Sequence, residues 1–179
     1  CEGARRSTVE RRRRVNAGSW RGEAGVEPGG VRPDAGSHKV DAVGYGTGLM
    51  PIDVVARTAR CGSRVEITAT VAARLDGDVS LAMDFVGNAQ FLAEDLHIHC
   101  ERADLMIREN RLWIGRNGHV EPFDDLEQES KPVTQFLDVL LDGAVNTAPA
   151  DCTLPVFDLT CAILESGDSG RIVVCRRSQ

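Results

Sequence analysis

The stretch Val65–Phe85, VEITATVAARLDGDVSLAMDF, decides the fold class. Val65, Ile67, Ala69, Val71 and Ala73 fall on one side of an extended chain, while Glu66, Thr68, Thr70 and Arg74 fall on the other. Alternation at period two is the signature of a strand with one covered face. Leu75-Asp76-Gly77-Asp78 then supplies turn residues, and Val79, Leu81, Met83 and Phe85 resume the alternation, which predicts a hairpin. The pattern recurs downstream. Leu96, Ile98 and Cys100 alternate with His97 and His99, and the runs Leu105–Ile107 and Leu112–Ile114 follow, separated by Arg108 to Arg111 and ended by Arg116-Asn117-Gly118. Five or six antiparallel strands are expected in the middle of the chain.

Helical spacing flanks this block. Upstream, an extended stretch Thr8 to Val15 leads through a turn-rich segment ending in Pro28, Gly29, Gly30 and Pro33. From Asp34 onward Ala35, Val40 and Val43 are available for burial until Gly44, Gly46 and Gly48 stop a short helix. Downstream, Val133, Phe136, Leu137, Leu140 and Leu141 form one apolar stripe, and Leu154, Phe157, Cys161 and Leu164 form a second. Both helices, Pro132 to Leu141 and Asp151 to Glu165, need a sheet face to cover, and a last strand, Ile172 to Cys175, follows a Ser166-to-Gly170 loop. Strands in a block with helices on either side predict an α+β fold: an open-faced, mostly antiparallel sheet with helices packed on one face. The other face, carrying Thr, Ala and His, is left for a partner, and dimerisation through it is expected.

A chain of 179 residues and 19.4 kDa suits one ordinary domain, 1–179, rather than two. No apolar run is long enough for a membrane-spanning helix. With 21 basic against 27 acidic residues the net charge is −6, which opposes a nucleic-acid binder despite Arg5, Arg6, Arg11, Arg12, Arg13, Arg14 and Arg21 near the start. Cys1, Cys61, Cys100, Cys152, Cys161 and Cys175 show no C-x-x-C spacing and no signal-peptide core precedes them, so reduced thiols and a cytoplasmic location are expected.

The best candidate for chemistry is on the first helix. Asp34, His38 and Asp41 at i, i+4 and i+7 project from one side, and a carboxylate beside an imidazole raises its basicity near neutral pH. The plain reading is that Asp34 caps the helix and Asp41 is a solvated neighbour. Three other patterns are weaker. Gly44-Tyr45-Gly46-Thr47-Gly48 imitates a dinucleotide-binding loop, yet follows a helix rather than a strand and reads as a helix stop. Gly167-Asp168-Ser169-Gly170 imitates a serine-protease nucleophile segment without the accompanying fold. His97 and His99 pair on one strand face with no further metal ligands evident, so no metal site is assigned.

Gly29-Gly30-Val31-Arg32-Pro33-Asp34-Ala35-Gly36-Ser37-His38-Lys39-Val40-Asp41 resembles the Gly-Gly-x-x-x-Asp-x-Gly-x-His-x-x-Asp signature of the C-terminal domain of the Gfo/Idh/MocA family of glucose-fructose oxidoreductases and inositol dehydrogenases. The Trp20-Arg21 pair, the succession of strands and the two late helices are also similar. The resemblance implies a part of an NAD- or NADP-dependent oxidoreductase acting on a sugar, cyclitol or related polyol. His38 would remove the hydroxyl proton as hydride leaves the same carbon for the nicotinamide, and Asp34 would orient and stabilise the imidazolium. Trp20, Arg21 and Asp41 would contact substrate.

This sequence departs from the family in two features. An N-terminal Rossmann domain and a Glu-Lys-Pro segment are absent, the only lysines being Lys39 and Lys131. The cofactor is therefore expected to bind a domain missing from this chain, which alone would not turn over. A stand-alone dimeric binding or scaffold module is the other reading.

Overall fold

The computed structural model describes residues 36–87, 89, 94–126 and 131–176. In chain order the elements are α1 (Ser37–Thr47), β1 (Pro51–Ala59), β2 (Thr68–Leu75), β3 (Val79–Val86), β4 (Asp95–His99), β5 (Asp104–Arg108), β6 (Arg111–Arg116), β7 (His119–Phe123), α2 (Pro132–Asp142), α3 (Leu154–Ser169) and β8 (Val173–Val174). They fall into two compact units, Cys1–Gln90 with Ala148–Gln179, and Phe91–Thr147. Each holds one open four-stranded antiparallel sheet, with strand orders β3-β2-β1-β8 and β4-β5-β6-β7. The α+β class and the open-faced sheet are as the sequence predicts.

In the first unit the alternation of the quoted stretch becomes a core. Val65, Ile67, Ala69, Val71 and Ala73 are all buried, as expected, and Leu81, Met83 and Phe85 of β3 pack against them. The hairpin turns through Asp76–Asp78, where Gly77 takes φ 71°, a left-handed conformation that costs glycine nothing. β1 lies between β2 and β8, and Val54 and Ala56 add to the same face. The missing Cβ branches of Ala56, Ala69 and Ala73 leave room for α3, which lays Leu159, Ala162 and Ile163 on this face. Burying each large aliphatic side chain there contributes about 1.5–3 kcal/mol.

α3 also completes the sheet's hydrogen bonding. Strand β8 pairs β1 only at Asp53 and Val54, so the backbone of Ala56 has no strand neighbour on that edge. Its N–H donates instead to Ser166 Oγ at 2.9 Å, and the Ser166 hydroxyl donates to the Arg171 carbonyl at 2.6 Å. Ser166 has no exposed surface. A residue that favours helix ends by propensity is held inside the helix because both its hydrogen-bonding roles are filled.

The second unit is a meander with tight turns. Glu109 and Asn110, then Asn117 and Gly118, all take positive φ, from 51° to 79°, giving two-residue loops that match the twist of the strands. The register places Leu96, Ile98, Leu105, Ile107, Leu112 and Ile114 on one face. The opposite face carries His97, Met106, Trp113 and Pro122 in a row across the strands. Beside that row Arg108 holds Asp95 through two bonds of 3.0 Å, drawing the Asp95 carboxyl below its usual range, and Arg111 lies over the Trp113 ring.

Several expectations are corrected. The first helix does not stop at Gly44 or Gly46; it runs through both and ends at Gly48, whose φ of 67° makes it the left-handed cap. β1 and β7 were not expected. A register shift between Pro51 and Asp53 breaks the period of β1, and Pro122 masks β7, which tolerates it as an edge strand. The buried face of α3 is Leu159, Ala162, Ile163 and Ser166, not the stripe of Leu154, Phe157, Cys161 and Leu164; Leu154, Phe157 and Cys161 are exposed. This helix is apolar on more than one side, so helical period alone does not choose between stripes. Ser166 to Ser169 extend α3 and do not form a loop. The stripe on α2 exists, but its five side chains are 46–77% exposed and none of its residues is buried, so it covers no sheet face. The extended stretch Thr8 to Val15 lies outside the described residues.

Replacing Ser166 by Ala leaves the Ala56 N–H and the Arg171 carbonyl without their buried partner. Urea unfolding is expected to show a loss of about 1–3 kcal/mol, whereas Ser169→Ala near the exposed end of α3 costs less. Burial, with Asp53 and Asp158 adding to it, pushes the Cys175 thiol up to about 11. The folded state therefore keeps this proton longer than the unfolded chain, and the resulting stability is present below about pH 8.5 and lost as pH rises toward 11. Cys175→Ala should flatten that alkaline slope, and in native protein Cys175 should resist a thiol reagent at pH 8 that labels exposed Cys61, Cys100, Cys152 and Cys161.

Candidate functional site

α1 is a two-sided helix. Gly36, Val40 and Val43 are buried on its inner side, and Val40 joins the core formed by β1, β2 and α3. At 100° per residue, positions 38, 41 and 45 fall on the opposite side. His38, Asp41 and Tyr45 are accordingly all exposed. The two sequence-predicted site residues that the structure describes thus share one helix face. Among the described residues no ion pair joins His38 and Asp41, and the imidazole is exposed. Asp34, Trp20 and Arg21 lie outside the described residues.

The end of α1 is rigid for identifiable reasons. Gly48 N–H donates to the Gly44 carbonyl at 2.8 Å, the Thr47 hydroxyl donates to the Val43 carbonyl at 2.7 Å, and Leu49 N–H donates back to Thr47 Oγ1 at 3.2 Å. One step later Asp76 N–H donates to the Met50 carbonyl at 2.9 Å while Met50 N–H donates to Asp76 Oδ2 at 3.3 Å. This reciprocal pair ties the helix exit to the turn of the β2–β3 hairpin. Gly44 to Gly48 are thereby a helical turn and its cap, following no strand, and give no phosphate cradle.

The other two patterns resolve without a reaction centre. Gly167, Asp168 and Ser169 form the last turn of α3, Gly170 caps it with φ 69°, and Ser169 Oγ accepts the Arg171 N–H at 3.3 Å. His97 and His99 stand edge to face with ring centres 6.4 Å apart, and His99 Nδ1 lies 3.3 Å from Asp104 Oδ1. Among the described residues no group of three or more His, Cys, Asp or Glu side chains is placed to hold a metal ion. No described helix is long and apolar enough to cross a membrane.

Tyr45 shares this exposed face and is not among the sequence-predicted site residues. Its signal was present, since it lies seven residues beyond His38 on the same face, but it was absorbed into the glycine run around it.

The family model described as the GFO/IDH/MocA C-terminal domain matches residues 4–106, which include the whole glycine-to-Asp41 motif. No curated protein matches the chain. Among solved structures, aldose-aldose oxidoreductase from Caulobacter crescentus, complexed with glycerol, is 18% identical, with TM-score 0.77 over 87% of this chain and 50% of that one. An oxidoreductase domain protein from Kribbella flavida is 15% identical, with TM-score 0.75 over 89% and 55%. An oxidoreductase from Agrobacterium radiobacter, in complex with NAD+, L-tartaric acid and magnesium, is 20% identical, with TM-score 0.68 over 82% and 49%. The chain therefore spans about half the length of the structures it matches. With the model matching more than half of its residues, the chain belongs to the GFO/IDH/MocA C-terminal domain family.

Proposed function

We propose that this chain is the substrate-binding and dimerisation domain of an NAD- or NADP-dependent oxidoreductase that moves hydride to or from a hydroxyl-bearing carbon of a sugar, cyclitol or related polyol. The observation that carries the reading is the position of His38. It stands exposed on the outer side of a helix whose inner side is locked into the core, within the motif matched by the family model. A side chain placed for packing would face the other way. In this reading His38 takes the proton of the substrate hydroxyl, Asp34 orients the imidazole, and Asp41, Trp20 and Arg21 bind the remaining hydroxyls. Glycerol and L-tartaric acid in the similar structures are hydroxylated small molecules of the kind this face would take.

The described residues do not fit a dinucleotide. They contain no glycine loop between a strand and a helix, because the one glycine run is helix α1 and its cap. The nicotinamide cofactor is accordingly assigned to another part of the enzyme, and this chain's contribution is confined to binding substrate and handling its proton.

The dimer is assigned to the uncovered face of the first unit's sheet. Val55, Ala72 and Ala82 stand opposite one another across β1, β2 and β3, all exposed. Small side chains let a second sheet approach closely, and a two-fold axis would bring the same patch from both copies together.

In the oxidoreductase carrying this domain, His38→Ala is expected to lower kcat for polyol oxidation by about 10²–10⁴-fold, measured as NADH or NADPH formation, with substrate affinity changed only a few-fold. Unaltered turnover would overturn the assignment of His38. Sedimentation equilibrium should show a dimer that Ala72→Arg converts to monomer; a dimer indifferent to that change would place the interface elsewhere.

A further inference from the structure

We propose that Asn117 is a site of spontaneous deamidation whose chemistry the β6–β7 turn holds back, so that conversion to isoaspartate follows opening of that turn and, once it has happened, undoes the pairing of β7. The inference is independent of the reading of His38.

Asn117 is the one asparagine of the chain followed by glycine; Asn16 and Asn88 precede alanine, Asn110 precedes arginine and Asn146 threonine. The following residue governs the reaction, because its backbone nitrogen is the nucleophile and a side chain beside that nitrogen crowds the approach. The nitrogen of Gly118 attacks Cγ of Asn117. The Cγ–Nδ2 bond breaks, the amide nitrogen leaves as ammonia with the Gly118 proton, and a succinimide ring closes. Water then opens the ring. Attack at Cγ restores the main chain as aspartate, whereas attack at the main-chain carbonyl carbon leaves the chain running through Cγ as isoaspartate, one methylene longer.

The fold acts on the first step. Asn117 and Gly118 take φ of 51° and 79° as the loop residues between Arg116 and His119, which pair with each other. Two positive φ in a two-residue loop are those of a type I′ turn, whose first residue keeps ψ at about +30°. Ring closure needs the Gly118 nitrogen on the side of the Asn117 Cβ, at a strongly negative ψ; the turn holds it on the far side. The dipeptide that best makes this turn is therefore the one that lasts least outside it. Reaching the reactive shape requires the end of the hairpin to open, a local event short of global unfolding. β7 is an edge strand paired on one side only, with its register running from Arg116↔His119 to Leu112↔Phe123. An extra methylene in so short a loop puts those partners out of step.

The test ages the full chain in native buffer and in urea at the same mildly alkaline pH, then maps peptides by mass spectrometry with fragmentation that separates aspartate from isoaspartate. In urea Asn117 is expected to convert well ahead of Asn16, Asn88, Asn110 and Asn146. In the native chain Asn117 should convert at least about tenfold more slowly than in urea. Amide hydrogen exchange follows the consequence: the isoaspartate form, purified after refolding, should lose protection across β7, while Asn117→Asp, which adds the same charge and leaves the main chain intact, should keep it. Conversion in native buffer as fast as in urea overturns the role of the turn, and conversion in urea no faster than at Asn110 overturns the site itself. An isoaspartate form that exchanges like the unmodified chain overturns the consequence for β7.

Discussion

The seat of α3 on β1 is the constraint on which the rest of the first unit depends. β1 is an inner strand, yet its partner β8 is two residues long, so part of its edge would be left with unpaired backbone in a dry place. Ser166 resolves this by accepting from Ala56 and donating to Arg171, thereby fixing at once the height of the helix on the sheet and the path of the chain into β8. An unpaired buried amide costs more than a formed hydrogen bond contributes, so the alternative placements of α3 are penalised. Small residues beneath it, Ala56, Ala69 and Ala73, then allow the helix to sit close.

From that seat the orientation of α1 follows. Val40 packs into the core shared by α3 and the sheet, which turns the opposite side of α1, and with it His38, Asp41 and Tyr45, to solvent. The Met50–Asp76 pair ties the exit of the helix to the β2–β3 turn. A functional face on a rigid element is held more closely than one on a loop, because the packing of the hidden face supplies the positional energy. The proposed site and the core are therefore two sides of one helix.

The second unit is built on different terms. Its hairpins close through two-residue turns with left-handed residues at Glu109, Asn110, Asn117 and Gly118, so local chemistry sets the register. None of its described residues is buried, and its aliphatic face of Leu96, Ile98, Leu105, Ile107, Leu112 and Ile114 remains partly open. The Asp95–Arg108 pair and the Arg111–Trp113 contact on the polar face are exposed, and exposed pairs of this kind contribute little to stability.

Much of this was legible in the residues themselves. Period-two alternation from Val65 to Phe85 encodes both the hairpin and which side of it is core, because a strand has only two faces and a one-residue slip would exchange them. The same holds for the existence of the three described α-helices and for the common face of His38 and Asp41, which follows from helical geometry alone. Other features needed the folded chain. Period could not choose the buried side of α3, apolar on more than one flank, until the orphan amide of Ala56 selected the side bearing Ser166. Nor could it show that β1 joins the sheet across a register shift or that α2 leaves its stripe uncovered. Local sequence sets the periodicity of each element, but which face is hidden depends on partners distant in the chain, and only tertiary contact brings those partners together.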